Sequence, residues 1–319
     1  MKNFIVKLMV FSFILFGIGI IIQLIYPYSN YSNPYLKRKT NYLSETKTNF
    51  DVIFIGSSRI NNQIDCKIVD SLIGKTKSYN LGSNASFFLE SENTLKYILN
   101  ETQQKPKVIV LELQQKFNVT RVNLFSDRNY NAHNLTNFPF ILKYHIEKKN
   151  IKQIGMSFFS FVVNNFHYNK TLHTKEYSDI IIKSQAGFSP LENENQSERH
   201  TKLLNDTLEI QRRVKKFEND SREYKVSNAF VNEMYILNEL CKRKNIKLIL
   251  LIPAPLEPDG KELTVYKDKL KIPILDYSSP KLKQYYQIKN RFDYGHLNTK
   301  GSELFSQQLA NDLKKIIYK

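Results

Sequence analysis

Three short runs, Val52–Ile55 (VIFI), Val108–Leu113 (VIVLEL) and Lys247–Ile252 (KLILLI), are apolar almost without a break. A strand with one wet face alternates apolar and polar residues, whereas a strand covered on both faces does not. Such runs call for a sheet with helices on both sides. Two weaker runs fit the same role, Lys77–Leu81 and Ile272–Leu275. Between them lie helical patterns over Gln63–Leu72, Phe88–Leu99, Asn228–Arg243 and Gly301–Ile317. The last sets Leu304, Phe305, Leu309, Leu313 and Ile316 on one face. Strands separated by helices predict an α/β fold, a three-layer sandwich around a roughly five-stranded parallel sheet.

The ends and the middle of the chain depart from this alternation. Leu8–Tyr26 reads LMVFSFILFGIGIIIQLIY and carries no charge. About 20 such residues span a hydrocarbon core of roughly 30 Å. Nothing like a small-x-small cleavage site follows at Gln23, Tyr26, Pro27 or Tyr28, so an uncleaved transmembrane helix is expected over residues 1–27. Tyr26 and Tyr28 suit the aromatic belt of a membrane interface. Lys2 and Lys7 lie nearer the run than Lys37, Arg38 and Lys39, which favours a cytoplasmic N-terminus and a body outside. Residues 28–48, rich in Tyr, Ser, Asn and Lys, read as a tether, and residues 49–319 as the α/β domain. Within it, residues 118–227 or so form a helical insertion between the third and fourth strands, with helices over Phe140–Glu147, Ile154–Asn164 and Leu208–Phe217. Insertions there shape clefts, act as lids or dock partners.

Charge narrows the partners. The formal net charge is +17, but it is lysine spread among asparagines and isoleucines, with no compact arginine stripe of the kind that tracks phosphates. With the anchor, this argues against nucleic acid. Cys66 and Cys241 lie far apart, show no metal-ligand spacing and read as buried thiols, with a disulfide between them as the alternative. No cofactor or metal is expected.

Ligands in open parallel sheets bind beyond the carboxyl ends of the strands. Three polar motifs lie at such ends or beside the last helix: Gly56-Ser57-Ser58-Arg59, Asn80-Leu81-Gly82-Ser83-Asn84 and Asp293-Tyr294-Gly295-His296-Leu297-Asn298. Each alone is an ordinary cap or turn. Together they supply a serine, a base to take its proton and a carboxylate to hold that base. Asp293 and His296 share one short loop, so base and orienter come as a pair. A backbone N–H at the first helix and another from Gly82 would bind an oxyanion, where a helix start favours negative charge. The other histidines, among them His200, fall in the insertion without such partners.

The order and setting of these blocks resemble the SGNH, or GDSL-type, hydrolase superfamily, whose core sheet is flavodoxin-like. FIGSSR stands for its strand and Gly-Asp-Ser, NLGSNAS for its glycine block and DYGHLNTKG for its Asp-x-x-His block. The resemblance covers roughly residues 50–117 and 245–318. It implies Ser58 as nucleophile, His296 as base, Asp293 as its partner, and Ser58 and Gly82 as oxyanion donors. Two departures stand out. Ser57 occupies the aspartate position and is the alternative nucleophile; Glu112-Leu113-Gln114-Gln115 replaces the Gly-x-Asn-Asp block, leaving Gln114 as a substitute donor. With the anchor and insertion, these departures resemble the membrane-anchored branch that holds the D-alanyl transfer protein of lipoteichoic acid synthesis and the alginate O-acetyltransferases. That branch implies acyl transfer to a cell-surface glycan or polymer, outside the cytoplasmic membrane and beside a membrane-bound O-acyltransferase. The competing expectation is an inactive relative that holds an anionic polymer or that partner.

Overall fold

The computed structural model describes residues 2–25, 34–114, 118–120, 124, 133–165, 180–192, 197–254 and 259–318. In chain order these give α1 (Lys2–Ile25), α2 (Pro34–Glu45), β1 (Val52–Gly56), α3 (Ser58–Gln63), α4 (Cys66–Ile73), β2 (Ser78–Gly82), α5 (Phe88–Glu101) and β3 (Val108–Glu112). The insertion contributes α6 (Phe138–Glu147), α7 (Ile151–Asn165), a π-helical turn at Ile180–Ser184, α8 (Glu198–Asn205) and α9 (Leu208–Glu218). The core resumes with α10 (Asn228–Arg243), β4 (Lys247–Ile252), α11 (Asp259–Thr264), β5 (Ile274–Asp276) and α12 (Thr299–Ile317).

The five strands form one sheet in the order β2-β1-β3-β4-β5, and every pairing is parallel. The order reverses between β1 and β3, the topological switch point where such sheets open a crevice. The apolar runs are buried on both faces, as the strand pattern predicts. Ile53, Ile55, Ile109, Leu111, Leu248 and Leu250 enter one core with residues of α5, α6 and α10. Their neighbours Val52, Phe54, Val108, Val110, Ile249 and Leu251 enter the other with α3, α4 and α12. Cys66 and Cys241 are buried free thiols in opposite cores, and burial pushes both thiols up. Lys75, Ala85, Lys149, Ala186 and Asn245 take the left-handed backbone at turns.

One expectation about the N-terminus is corrected and a second gains no support. Residues 34–45 are a helix rather than a tether, with Tyr35, Leu36, Lys39, Thr40 and Leu43 buried. One face of this polar sequence packs under β2, which a period of charges alone does not announce. The expected transmembrane helix gains no support: among the described residues, no helix is long and apolar enough to cross a membrane. Lys2–Ile25 is one helix of 24 residues, in which the side chains at 2, 5, 8 and 23 lie outside the description. Its middle packs on the insertion, with the Phe16 ring 5.0 Å from Phe158 and 4.9 Å from Phe161. Tyr26 and Tyr28, assigned to a membrane interface, lie outside the described residues.

Candidate active site

β1 ends at Gly56, and the chain turns at once into α3. Ser57 is the N-cap: its backbone is extended and its Oγ accepts the N–H of Arg59 at 3.2 Å. Ser57 also donates twice to Glu112 at the end of β3, from its N–H at 2.5 Å and from its hydroxyl at 3.0 Å. The Glu112 carboxylate is 1% exposed, takes the Gln114 amide at 3.2 Å and has Arg59 Nε at 3.9 Å. A Cβ on Gly56 would lie 2.5 Å from Glu112 Oε2, so only glycine leaves room for this carboxylate. A glutamate from the neighbouring strand thus holds the Gly-Ser-Ser turn through both the N–H and the hydroxyl of Ser57. Ser57 faces inward on it, and the hydroxyl that faces His296 belongs to Ser58.

Ser58 opens α3, and its Oγ lies 2.7 Å from His296 Nε2. On the other side of the ring, His296 Nδ1 lies 3.0 Å from Asp293 Oδ1 and 3.1 Å from Oδ2. With Nδ1–H donated to the carboxylate, Nε2 carries the lone pair and accepts from Ser58, the tautomer a general base requires. Burial alone would raise the Asp293 pKa. The His296 hydrogen bond and charge, the Arg199 charge and the Gly295 N–H outweigh it and hold the carboxyl at about 2. The Gly295 and His296 N–H groups both donate to Asp293 Oδ1, at 2.7 and 2.8 Å.

The loop is clamped from beneath by Arg291, which is fully buried. Its guanidinium donates to the carbonyls of Tyr285 at 2.9 Å, Tyr294 at 2.6 Å and Asp293 at 3.1 Å. Burial lowers its pKa to about 10, still well above neutrality. Asn298 caps α12 by accepting the Gly301 N–H at 2.9 Å and ties back to Lys289 O at 2.9 Å. His200, which the sequence leaves without a partner, stacks on Phe292 at 5.6 Å and bonds its carbonyl at 2.8 Å.

The oxyanion side differs from expectation. The Gly82 N–H donates to Asn80 Oδ1 at 2.8 Å, so the donor expected there is already engaged. The same Asn80 side chain donates to Ile60 O and Ile64 O at 2.7 and 2.9 Å, which stitches α3 to the end of β2. Glycine is required at position 82 for another reason: a Cβ would lie 2.2 Å from Asn61 N. Gln114, the substitute donor, is buried and turned to Glu112. Gln115 lies outside the described residues. The Ser58 N–H stands at the first position of α3, where a helix offers it no intrahelical acceptor.

Four residues that sequence reasoning did not place belong to this site: Glu112, Arg291, Lys39 and Arg199. Lys39 reaches from α2 to donate to Asn61 Oδ1 and Gly82 O, both at 2.8 Å, with its ammonium 4.5 Å over the Tyr35 ring. Complete burial pulls its pKa well below that of an ordinary lysine. Arg199, on α8 of the insertion, pairs with Asp293 Oδ2 and comes within 2.8 Å of His296 Nδ1. Glu112 and Arg291 sit beside recognised motifs, and an acidic residue closing an apolar strand was the visible sign of the first. Nothing in the sequence around Lys39 or Arg199 marks them. Comparison with protein-family models and with curated proteins gave no match for this chain.

Proposed function

We propose that this chain is a serine acyltransferase or esterase of the SGNH type, attached to the cytoplasmic membrane and acting outside it on a cell-surface glycan or polymer. The observation that carries the reading is the continuous chain Ser58 Oγ, His296 and Asp293, with contacts of 2.7 and 3.0 Å drawn from opposite ends of the sequence. Ser58 Oγ attacks an acyl carbonyl while His296 Nε2 takes its proton, and Asp293 stabilises the imidazolium. The Ser58 N–H faces the developing oxyanion. His296 returns the proton to the leaving oxygen, and a glycan hydroxyl or water then releases the acyl group from Ser58 by the reverse sequence. The uncharged run Leu8–Tyr26 supports membrane attachment. The acyl donor outside the membrane is supplied by a membrane-bound O-acyltransferase partner.

One observation favours a second reading, a non-catalytic protein holding an anionic polymer: the Gly82 N–H and the Gln114 amide are both engaged elsewhere. Loss of each oxyanion donor costs about 3–4 kcal/mol in characterised hydrolases, so an enzyme left with the Ser58 N–H is slow rather than inactive. Turnover of 4-nitrophenyl acetate by the full-length protein in detergent separates the two. Release of nitrophenol above the buffer rate, saturable in ester, is expected. No release above buffer would favour the binding protein.

A further inference from the structure

We propose that Lys39, with the Tyr35 hydroxyl beside it, is the positioning residue for Ser58. From α2 it holds the first turn of α3 and the end of β2 in one arrangement, which aims the Ser58 hydroxyl and N–H at the same acyl group. This role rests on the acyl-transfer reading and adds α2 to the machinery that serves it.

Lys39 stands where the helix pattern asks for an apolar residue. Leu36 and Leu43, three before it and four after, are buried on the same face. Burying an amine costs free energy that a leucine or methionine at this position would not lose. Among the described residues no carboxylate offsets that cost. The Nζ contacts are Asn61 Oδ1 and Gly82 O, both at 2.8 Å, and the face of the Tyr35 ring. Two donated bonds need two hydrogens, which the amine keeps with or without its charge, so the lowered pKa leaves both in place. Packing therefore does not account for a lysine here; the two oxygens it holds do.

Both oxygens belong to the turns around Ser58. Gly82 closes β2 beside Gly56, and the next N–H, of Ser83, donates to Gly56 O at 2.9 Å. The turn after β2 thus starts alongside the Ser57–Ser58 turn. Asn61 lies one turn of α3 after Ser58. Its Oδ1 takes Lys39 and also the Tyr35 hydroxyl, at 3.0 Å. That fixes the amide so that Nδ2 donates to Asn62 Oδ1 at 2.6 Å and Asn84 Oδ1 at 3.2 Å. With six residues, α3 is too short to hold itself. Asn80 ties it to β2, and Lys39 ties both to α2. His296 is held separately, by Asp293. Loss of the lysine therefore moves Ser58 relative to its base, and a displacement of about 1 Å at a reacting group can cost about 100-fold in rate.

Full-length protein in detergent tests this with Lys39→Met, which keeps the stem and removes both donors. Leu43→Ala is the control for lost packing in the same helix. With 4-nitrophenyl acetate at matched folded fractions, Lys39→Met is expected to lower kcat at least tenfold with KM unchanged, because only the reacting geometry is altered. Hydrogen exchange followed by mass spectrometry is expected to quicken at residues 58–63 and 82–86. Leu43→Ala is expected to lower the melting temperature and quicken exchange within residues 34–45, with kcat kept. Wild-type kcat in Lys39→Met, or an equal fall of kcat in Leu43→Ala, would overturn the proposal. Where Lys39→Met does not fold, Tyr35→Phe decides, since it keeps the ring and removes one donor to Asn61. A two- to fivefold fall of kcat at constant KM supports the role, and an unchanged kcat overturns it. Where the wild type releases no nitrophenol, the exchange data decide. Protection of residues 58–63 and 82–86 that depends on Lys39 keeps the tie and sinks the acyl-transfer reading; protection that does not sinks both. Release that is indifferent to Lys39 sinks the tie alone.

Discussion

Ser58→Ala is expected to lower kcat for an activated ester by about a thousandfold or more, since the members of a nucleophile–base unit fail together. The hydroxyl that His296 polarises is at 2.7 Å, and no other described hydroxyl is bonded to Nε2. His296→Ala is expected to fall to the same floor, and the double variant no further. Ser57→Ala separates stability from chemistry. Its Oγ caps α3 and donates to Glu112, so its loss removes a cap worth about 1 kcal/mol and leaves the carboxylate short of a donor. Thermal denaturation is expected to show a lower midpoint in Ser57→Ala, with ester turnover surviving in the folded fraction. Stopped-flow or steady-state release of nitrophenol measures the rate part. A Ser57→Ala variant that folds but is as inactive as Ser58→Ala would move the nucleophile to Ser57.

The second large effect is expected at Gly82. A methyl group there would meet Asn61 N at 2.2 Å, Asn61 Cα at 2.7 Å and the Ile60 carbonyl carbon at 2.8 Å. These are backbone atoms, so no side chain can rotate aside, and α3 itself must shift. Because α3 carries Ser58, the shift separates the hydroxyl from His296. Gly82→Ala is expected to cost about 3 kcal/mol, at the upper end of overpacking effects, and to remove most activity in the molecules that still fold. Denaturant unfolding with the assay at matched folded fractions checks both parts. Gly155, with nothing within 4 Å of its would-be Cβ, serves as the control, and alanine there is expected to be neutral or mildly stabilising.

The sheet was legible because burial on both faces removes the polar residues that make short strands ambiguous. Lys247–Ile252 and Asn228–Arg243 match the expected elements at both ends, and β1, β2 and β3 differ by a residue or so. Ser58, His296 and Asp293 were legible for a related reason: each lies in a short local motif at the end of an element, where the chain must turn. What was not legible depends on contacts between distant segments. Lys39 breaks the rule that lysines face water, and only the carbonyl of Gly82 and the amide oxygen of Asn61 explain its burial. Arg199 reaches His296 across 97 positions of sequence, from an insertion whose periodicity reveals a helix but not where it docks. The assignment of Gly82 as an oxyanion donor missed its two actual tasks, because Asn80 two residues earlier already takes the N–H and α3 fills the space above it.

The central claim is that Ser58 is an activated nucleophile, and the most direct measurement of it is the position of a covalent adduct. Full-length protein treated with a fluorophosphonate near neutral pH, digested and mapped by mass spectrometry, is expected to carry one phosphonyl group on Ser58. His296→Ala is expected to prevent its formation. An adduct on Ser57, or no adduct on folded protein under conditions that label a control serine hydrolase, would contradict the account.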